Sequence, residues 1–213
     1  MNCICLIMGQ SGSGKTTIVE QLEAKYKLSS VKSYTTRKPR FKGETGHIFV
    51  SDEEFDKLTD IIAYTEFAGN RYCAIAEQIE NNDLYVIDPK GIEFFLKAYK
   101  GNKTPKIIYI DSDISTRYER MVQRSEEKGN SHSDSVGMAL SRIANDCGEF
   151  YDYIHHSTYA LEYCMSDMAR ENHLNNIIRK QCSVVIFPLL LMISRSLPTL
   201  PKSRLRLKAR KRS

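Results

Sequence analysis

The chain has little that would support metal or redox chemistry. Its six cysteines, Cys3, Cys5, Cys73, Cys147, Cys164 and Cys182, include no C-x-x-C pair and no zinc-like spacing. This excludes a thiolate zinc site and fits a reduced, cytoplasmic setting, with Cys3 and Cys5 as small apolar fillers of a buried strand. Histidines are few and scattered. His155 and His156 are adjacent, on opposite faces of an expected strand, so a shared metal is excluded there. No secretory signal is expected, because a strand and a glycine loop take up the first residues. The longest apolar run, residues 184–193, is interrupted by Pro188 and falls short of the ~20 residues a membrane helix needs. There is no internal repeat. Acidic residues are missing from 194–213, which carries Arg195, Lys202, Arg204, Arg206, Lys208, Arg210, Lys211 and Arg212. The formal charge of +5 therefore belongs to a tail, and residues 1–193 are mildly acidic.

What is present starts at residue 9. Gly-Gln-Ser-Gly-Ser-Gly-Lys-Thr-Thr forms a complete G-x-x-x-x-G-K-[ST] loop directly after the apolar run Cys3 to Met8. A strand feeding a glycine loop that opens a helix points several amides at one spot, where the helix dipole adds positive character. Polyphosphate is the expected occupant. The donor-binding set is Gly9, Ser11, Gly12, Ser13, Gly14, Lys15, Thr16 and Thr17, with Lys15 on the β- and γ-phosphates and the Thr16 hydroxyl on Mg²⁺. Ile18, Leu22 and Tyr26 continue the helix as an apolar stripe.

Further along, a basic and glycine-containing stretch (31–49) and an acidic helix (52–59) suggest an inserted lobe. Residues 61–67 and 71–76 flank Ala68-Gly69-Asn70 and predict a hairpin. Residues 84–88 and 106–110 read as buried parallel strands, and 91–99 and 114–124 as helices. Polar residues 125–135 predict a flexible flap before a second helix over about 135–150, and 159–175 has helical character. The expected fold class is therefore α/β, a P-loop NTPase fold with a parallel sheet flanked by helices. Residues 1–32 and 83–180 form the core, with a mobile lid over about 120–140. Residues 33–82 form an inserted acceptor-binding lobe, and 183–213 an apolar then basic tail, expected to be poorly ordered.

Phosphoryl transfer needs positioning and charge neutralisation, so arginines and an Mg²⁺ carboxylate should accompany the loop. Arg37 and Arg40, on a chain stiffened by Pro39, have the spacing to grip a terminal phosphate. Over roughly residues 3–153 the chain resembles the guanylate kinases. Ser33, Thr35, Thr36, Arg37, Pro39, Arg40, Gly43 and Glu44 match that family's S-x-T-T-R-x-P-R and G-E elements. Phe67, Gly69, Asn70 and Tyr72 match F-x-G-N-x-Y, and Asp88 and Gly91 match D-x-x-G. The resemblance implies that Arg37, Arg40 and Tyr72 hold the acceptor phosphate, that Ser33 and Glu44 shape the nucleotide lobe, and that Asp88 acts near Mg²⁺ or the acceptor. It also implies that Arg120, Arg124 and Arg142 stabilise charge on the moving phosphoryl group.

The chain departs from the family pattern where the base is read. Ala63 replaces a glutamate that pairs with the guanine edge, and Ala74 a serine or threonine. Glu66 points away from the Ala63 face, Val86 replaces an aspartate, and Gly46 to Phe49 offers no phenol. The asparagine-aspartate step near the adenine is not recognisable in residues 155–158. The implied activity is ATP-dependent phosphoryl transfer, with ATP and Mg²⁺, to GMP or dGMP. The alternatives are another acceptor, such as a different nucleoside monophosphate or ribose 1,5-bisphosphate, or a non-catalytic interaction module, against which the intact phosphate loop argues. Small-molecule nucleotides are the expected partners. The tail has two readings, a contact with nucleic acid or an acidic membrane surface, or an end without a role.

Overall fold

The computed structural model describes residues 2–39, 42–67, 69–156 and 163–164, with side chains to residue 150. Arg40, the 183–213 tail and the expected 159–175 helix lie outside the described residues, except that Tyr163–Cys164 form a strand rather than part of a helix.

Strand β1 (Cys3–Met8) is buried along nearly its whole length, Ile4 to Met8 being fully shielded, as expected of a strand covered on both faces. It runs parallel between β6 (Leu84–Val86) and β7 (Thr104–Tyr109), and β8 (Tyr163–Cys164) adds outside β7. All these strands point their carboxyl ends to one edge, and the functional loops leave from there.

The layers over this sheet include α1 (Lys15–Tyr26) and α4 (Pro89–Ala98). Helix α4 begins because the Asp88 carboxylate accepts the Gly91 amide at 2.6 Å and Pro89 fits the first turn. It buries Ile92 and Phe95 against Ile4, Leu6, Met8 and Phe150. Helices α5 (Ile114–Glu126) and α6 (His132–His156) form a hairpin sealed by Met121, Val122, Ala139 and Ile143.

A second sheet has the order β3-β2-β5-β4, from β2 (Tyr34–Thr35), β3 (Ile48–Phe49), β4 (Ile61–Phe67) and β5 (Asn70–Ile75). Strands β4 and β5 make the expected hairpin, and Gly69 takes the left-handed conformation its turn requires. Two short helices, α2 (Asp52–Phe55) and α3 (Ala76–Asn81), flank it.

Three expectations are corrected. The flexible stretch over 125–135 is mostly helical: α5 runs to Glu126 and α6 starts at His132, leaving 127–131 as the connection. Gly129 turns the chain with positive φ, Asn130 bonds back to the Ser125 carbonyl, and the Ser131 hydroxyl accepts the Asp134 amide to start α6. His155 and His156 are in the last turn of α6 rather than on a strand, the helix continuing past Phe150, which packs on Tyr109. The acidic helix over 52–59 is one capped turn, after which Asp60 takes a left-handed conformation. Among the described residues no helix is long and apolar enough to cross a membrane.

Candidate functional site

The phosphate loop leaves β1 at Gly9 and is wedged between the end of β7 and the start of α5. A Cβ on Gly9 would lie 2.3 Å from the Ile110 carbonyl oxygen, and one on Gly12 2.7 Å from that of Arg117. Gly12 and Gly14 have φ of +78° and +98°, which only glycine adopts without strain. Helix α1 starts at Lys15 with Gly14 as its cap and no side chain on its first amides, the arrangement that receives an anion. The Ser13 hydroxyl is buried without a partner, and Thr16 and Thr17 are exposed beside it. The Lys15 ammonium folds back onto the Gly9 and Gln10 carbonyls at 2.6 and 2.9 Å. Burial pulls its pKa down to about 8, against the charge of Asp146 and with the help of Arg124 and Arg117.

Opposite the loop, one cavity of about 290 Å³ joins Gly9, Ser11 and Lys15 to Ser33, Tyr72 and Asp88. The Ser33 hydroxyl and His47 Nδ1 lie 2.9 Å apart, and the imidazole meets the Tyr72 and Phe49 rings edge-on. Arg37 forks onto Glu44 with contacts of 2.8 and 3.2 Å, both side chains only about a tenth exposed. Its guanidinium stands 5.2 Å from the Phe49 ring centre, and its Nε is buried without a partner. Burial alone would lower the Arg37 pKa, but Glu44 and Tyr72 raise it, so it stays a firm cation. Arg40 lies outside the described residues. Asp88 caps α4 and bonds to the Thr65 hydroxyl; burial lifts its carboxyl above the usual range despite these bonds.

Arg120 reaches the loop, its Nη1 3.2 Å from the Gly12 carbonyl oxygen. Arg124 on α5 and Arg142 on α6 face one another closely enough that Arg124, after burial, lowers the Arg142 pKa. Sequence reasoning missed Arg117, which is 3% exposed, and Asp146, which contacts Ser11. It also missed Glu149, Thr65 and His47 on the cavity wall. The only available signal for Asp146 was its position one turn beyond Arg142 on the same helix.

Ala63 and Ala74, two of the departures from the family pattern, are one structural event. Ala63 and Ala74 are direct cross-strand partners in the β4–β5 hairpin, 1% and 0% exposed. Ala63 brings a methyl group to the cavity wall, and Ala74 packs into the core beside it. Thr65 and Tyr72, the next pair along that face, both line the cavity.

A family model described as guanylate kinase matches residues 1–168. The chain is 31% identical over 167 residues to the guanylate kinase of Anaplasma phagocytophilum, covering 71% of this chain and 77% of that protein. It is 43% identical over 100 residues to the guanylate kinase of Streptomyces kasugaensis, covering 41% of this chain, and so spans about half the length of that relative, 49%. The crystal structure of guanylate kinase from Anaplasma phagocytophilum superimposes with a TM-score of 0.49 at 21% identity, covering 93% of this chain and 98% of that one.

Proposed function

The chain belongs to the guanylate kinase family, and we propose that it transfers the γ-phosphoryl group of ATP to a nucleoside monophosphate, GMP or dGMP, giving ADP and the diphosphate. The observation that carries this reading is the continuous cavity between the phosphate loop and the Ser33–Tyr72–Asp88 wall. It gives a donor and a phosphorylated acceptor a common space, which in-line transfer requires.

In this reading Lys15 unfolds from its two carbonyls onto the donor's phosphates, and the amides opening α1 hold the β-phosphate. Ser13 gains the partner it lacks. Arg37, held by Glu44 and Tyr72, presents its remaining donors to the acceptor phosphate, and Arg40 is assigned to the same phosphate from the sequence alone; Ser33 and Glu44 shape the lobe. Arg120, Arg124 and Arg142 close around the transferred group from the α5–α6 hairpin, serving as the lid of a core (1–32 and 83–180) that carries the acceptor lobe (33–82). The exposed hydroxyl of Thr16 suits a metal carried on the donor's phosphates, and Asp88 lines the cavity that Lys15 enters. Mg²⁺ bound there would neutralise charge on the phosphates. No general base is needed, because positioning and charge neutralisation dominate this chemistry.

The Ala63–Ala74 pair favours a second reading of the acceptor. The Ala63 methyl on the cavity wall cannot hydrogen-bond a guanine edge, and neither can Ala74 behind it, so another nucleoside monophosphate or ribose 1,5-bisphosphate would suffer less there than GMP. ADP release by the purified protein, measured across GMP, dGMP, AMP, UMP, CMP and ribose 1,5-bisphosphate with Lys15→Ala as the blank, separates these. GMP or dGMP as the best acceptor supports the first reading. No release with any acceptor, and tight capture of a peptide instead, would move the assignment to a non-catalytic interaction module.

A further inference from the structure

Ser11, the third residue of the phosphate loop, is already held by an anion. The Asp146 carboxylate on α6 accepts the Ser11 amide at 2.6 Å and its hydroxyl at 3.1 Å. Arg117 on α5 backs this contact, its Nη1 3.4 Å both from the same carboxylate and from the Ser11 carbonyl, and its Nε 3.2 Å from the Ser112 carbonyl. Arg117 and Asp146 are 3% and 8% exposed, so the ion pair is largely buried under the loop, with Asp146 at the cavity wall. Ser11 is thus bound through its N–H, its O–H and its C=O by two helices that otherwise belong to the lid. Meanwhile Lys15 is bonded to two carbonyls of the same loop. A loop amide and the loop's cation, both groups that a triphosphate would engage, are therefore occupied internally.

A carboxylate on a loop amide is the side-chain counterpart of a bound phosphate oxygen, and two anions cannot share that donor. Arg142 stands one turn from Asp146 on α6, so whatever releases Asp146 also frees the helix that carries this arginine. We infer that Asp146 is a built-in competitor for the donor's phosphates: it holds the empty loop through Ser11 and must be displaced when the nucleotide binds, releasing α6. This rests on the reading of residues 9–16 as the donor site and is independent of the acceptor. It differs from a metal-ligand role for Asp146, in which the carboxylate would stay to strengthen the complex.

The test is calorimetric titration of the full chain with MgADP, comparing wild type, Asp146→Asn, and the double variant Arg117→Met with Asp146→Ala. The double variant guards against misfolding, since it leaves no buried guanidinium unpaired. Both variants should bind MgADP about tenfold more tightly, because one charge-assisted hydrogen bond no longer has to be broken. Hydrogen exchange over 132–150 should rise on MgADP binding in wild type and change little in the variants. Equal or weaker binding by the folded variants overturns the inference alone and leaves the kinase reading intact. Absence of MgADP binding by wild type and variants alike overturns the inference together with the donor-site reading.

Discussion

Replacing Glu44 with glutamine isolates the role of Arg37. The two side chains form a fork with contacts of 2.8 and 3.2 Å and are only about a tenth exposed, so Arg37 cannot recover its lost partner from bulk water. Breaking a fully buried pair costs about 3–5 kcal/mol and an exposed one about 0–1, which places this partly buried pair at about 2–3 kcal/mol. For a chain of this size that is a drop of about 5–10 °C in melting temperature. Phe49 and Tyr72 still hold the guanidinium in place, so the variant keeps a cation lacking a counter-charge. An acceptor phosphate supplies one. Saturating GMP should therefore raise the melting temperature of Glu44→Gln by more than it raises that of wild type. Arg37→Met with Glu44→Gln should recover most of the apo stability but show no GMP response, because both buried partners are gone. Scanning fluorimetry with and without GMP reads all of this. A loss below about 0.5 kcal/mol, or a GMP shift no larger in Glu44→Gln than in wild type, would refute the assignment of Arg37 to the acceptor phosphate.

Other outcomes follow from the same geometry. Because Lys15 titrates near pH 8 in the empty loop and phosphate binding favours its charged form, MgADP affinity should be flat below pH 8 and weaken by up to about tenfold per pH unit above it. Lys15→Arg should remove that slope, and calorimetry from pH 7 to 10 checks both. Gly12→Ala places a Cβ 2.7 Å from the Arg117 carbonyl at a φ of +78°, so it should cost at least about 1–3 kcal/mol of stability and most donor affinity, measured by melting and titration. With Ala63 facing Ala74, discrimination of GMP over AMP in kcat/KM should stay below about 100-fold. A ratio above about 10⁴ would mean that other groups read the base.

The phosphate loop was legible because its chemistry is local: strand, glycines, lysine and helix are consecutive, and they sit where the sequence put them. The β4–β5 hairpin was equally plain from its Gly69 turn. The Ala63–Ala74 pairing was legible only as separate residues, since nothing in the sequence states that positions 63 and 74 face one another until the hairpin register is known. Polar composition over 125–135 misled because serine and glutamate serve helix ends as readily as loops; Ser131 caps α6 instead of loosening it. Arg117 and Asp146 look like ordinary solvated helix positions. They are buried only because α5 and α6 fold together beneath a loop more than a hundred residues earlier in the chain.

A single ligand spanning both halves of the cavity addresses the kinase assignment itself. Adenosine and guanosine joined through five phosphates should bind far more tightly than ADP or GMP alone. In a crystal of the complex the adenosine-side phosphates should lie on the amides of residues 9–16 and the guanosine-side phosphate within hydrogen-bonding distance of Arg37 and Tyr72. A complex in which the guanosine end hangs in solvent, with no phosphate against Arg37 or Tyr72 and no affinity gained over ADP, would contradict it.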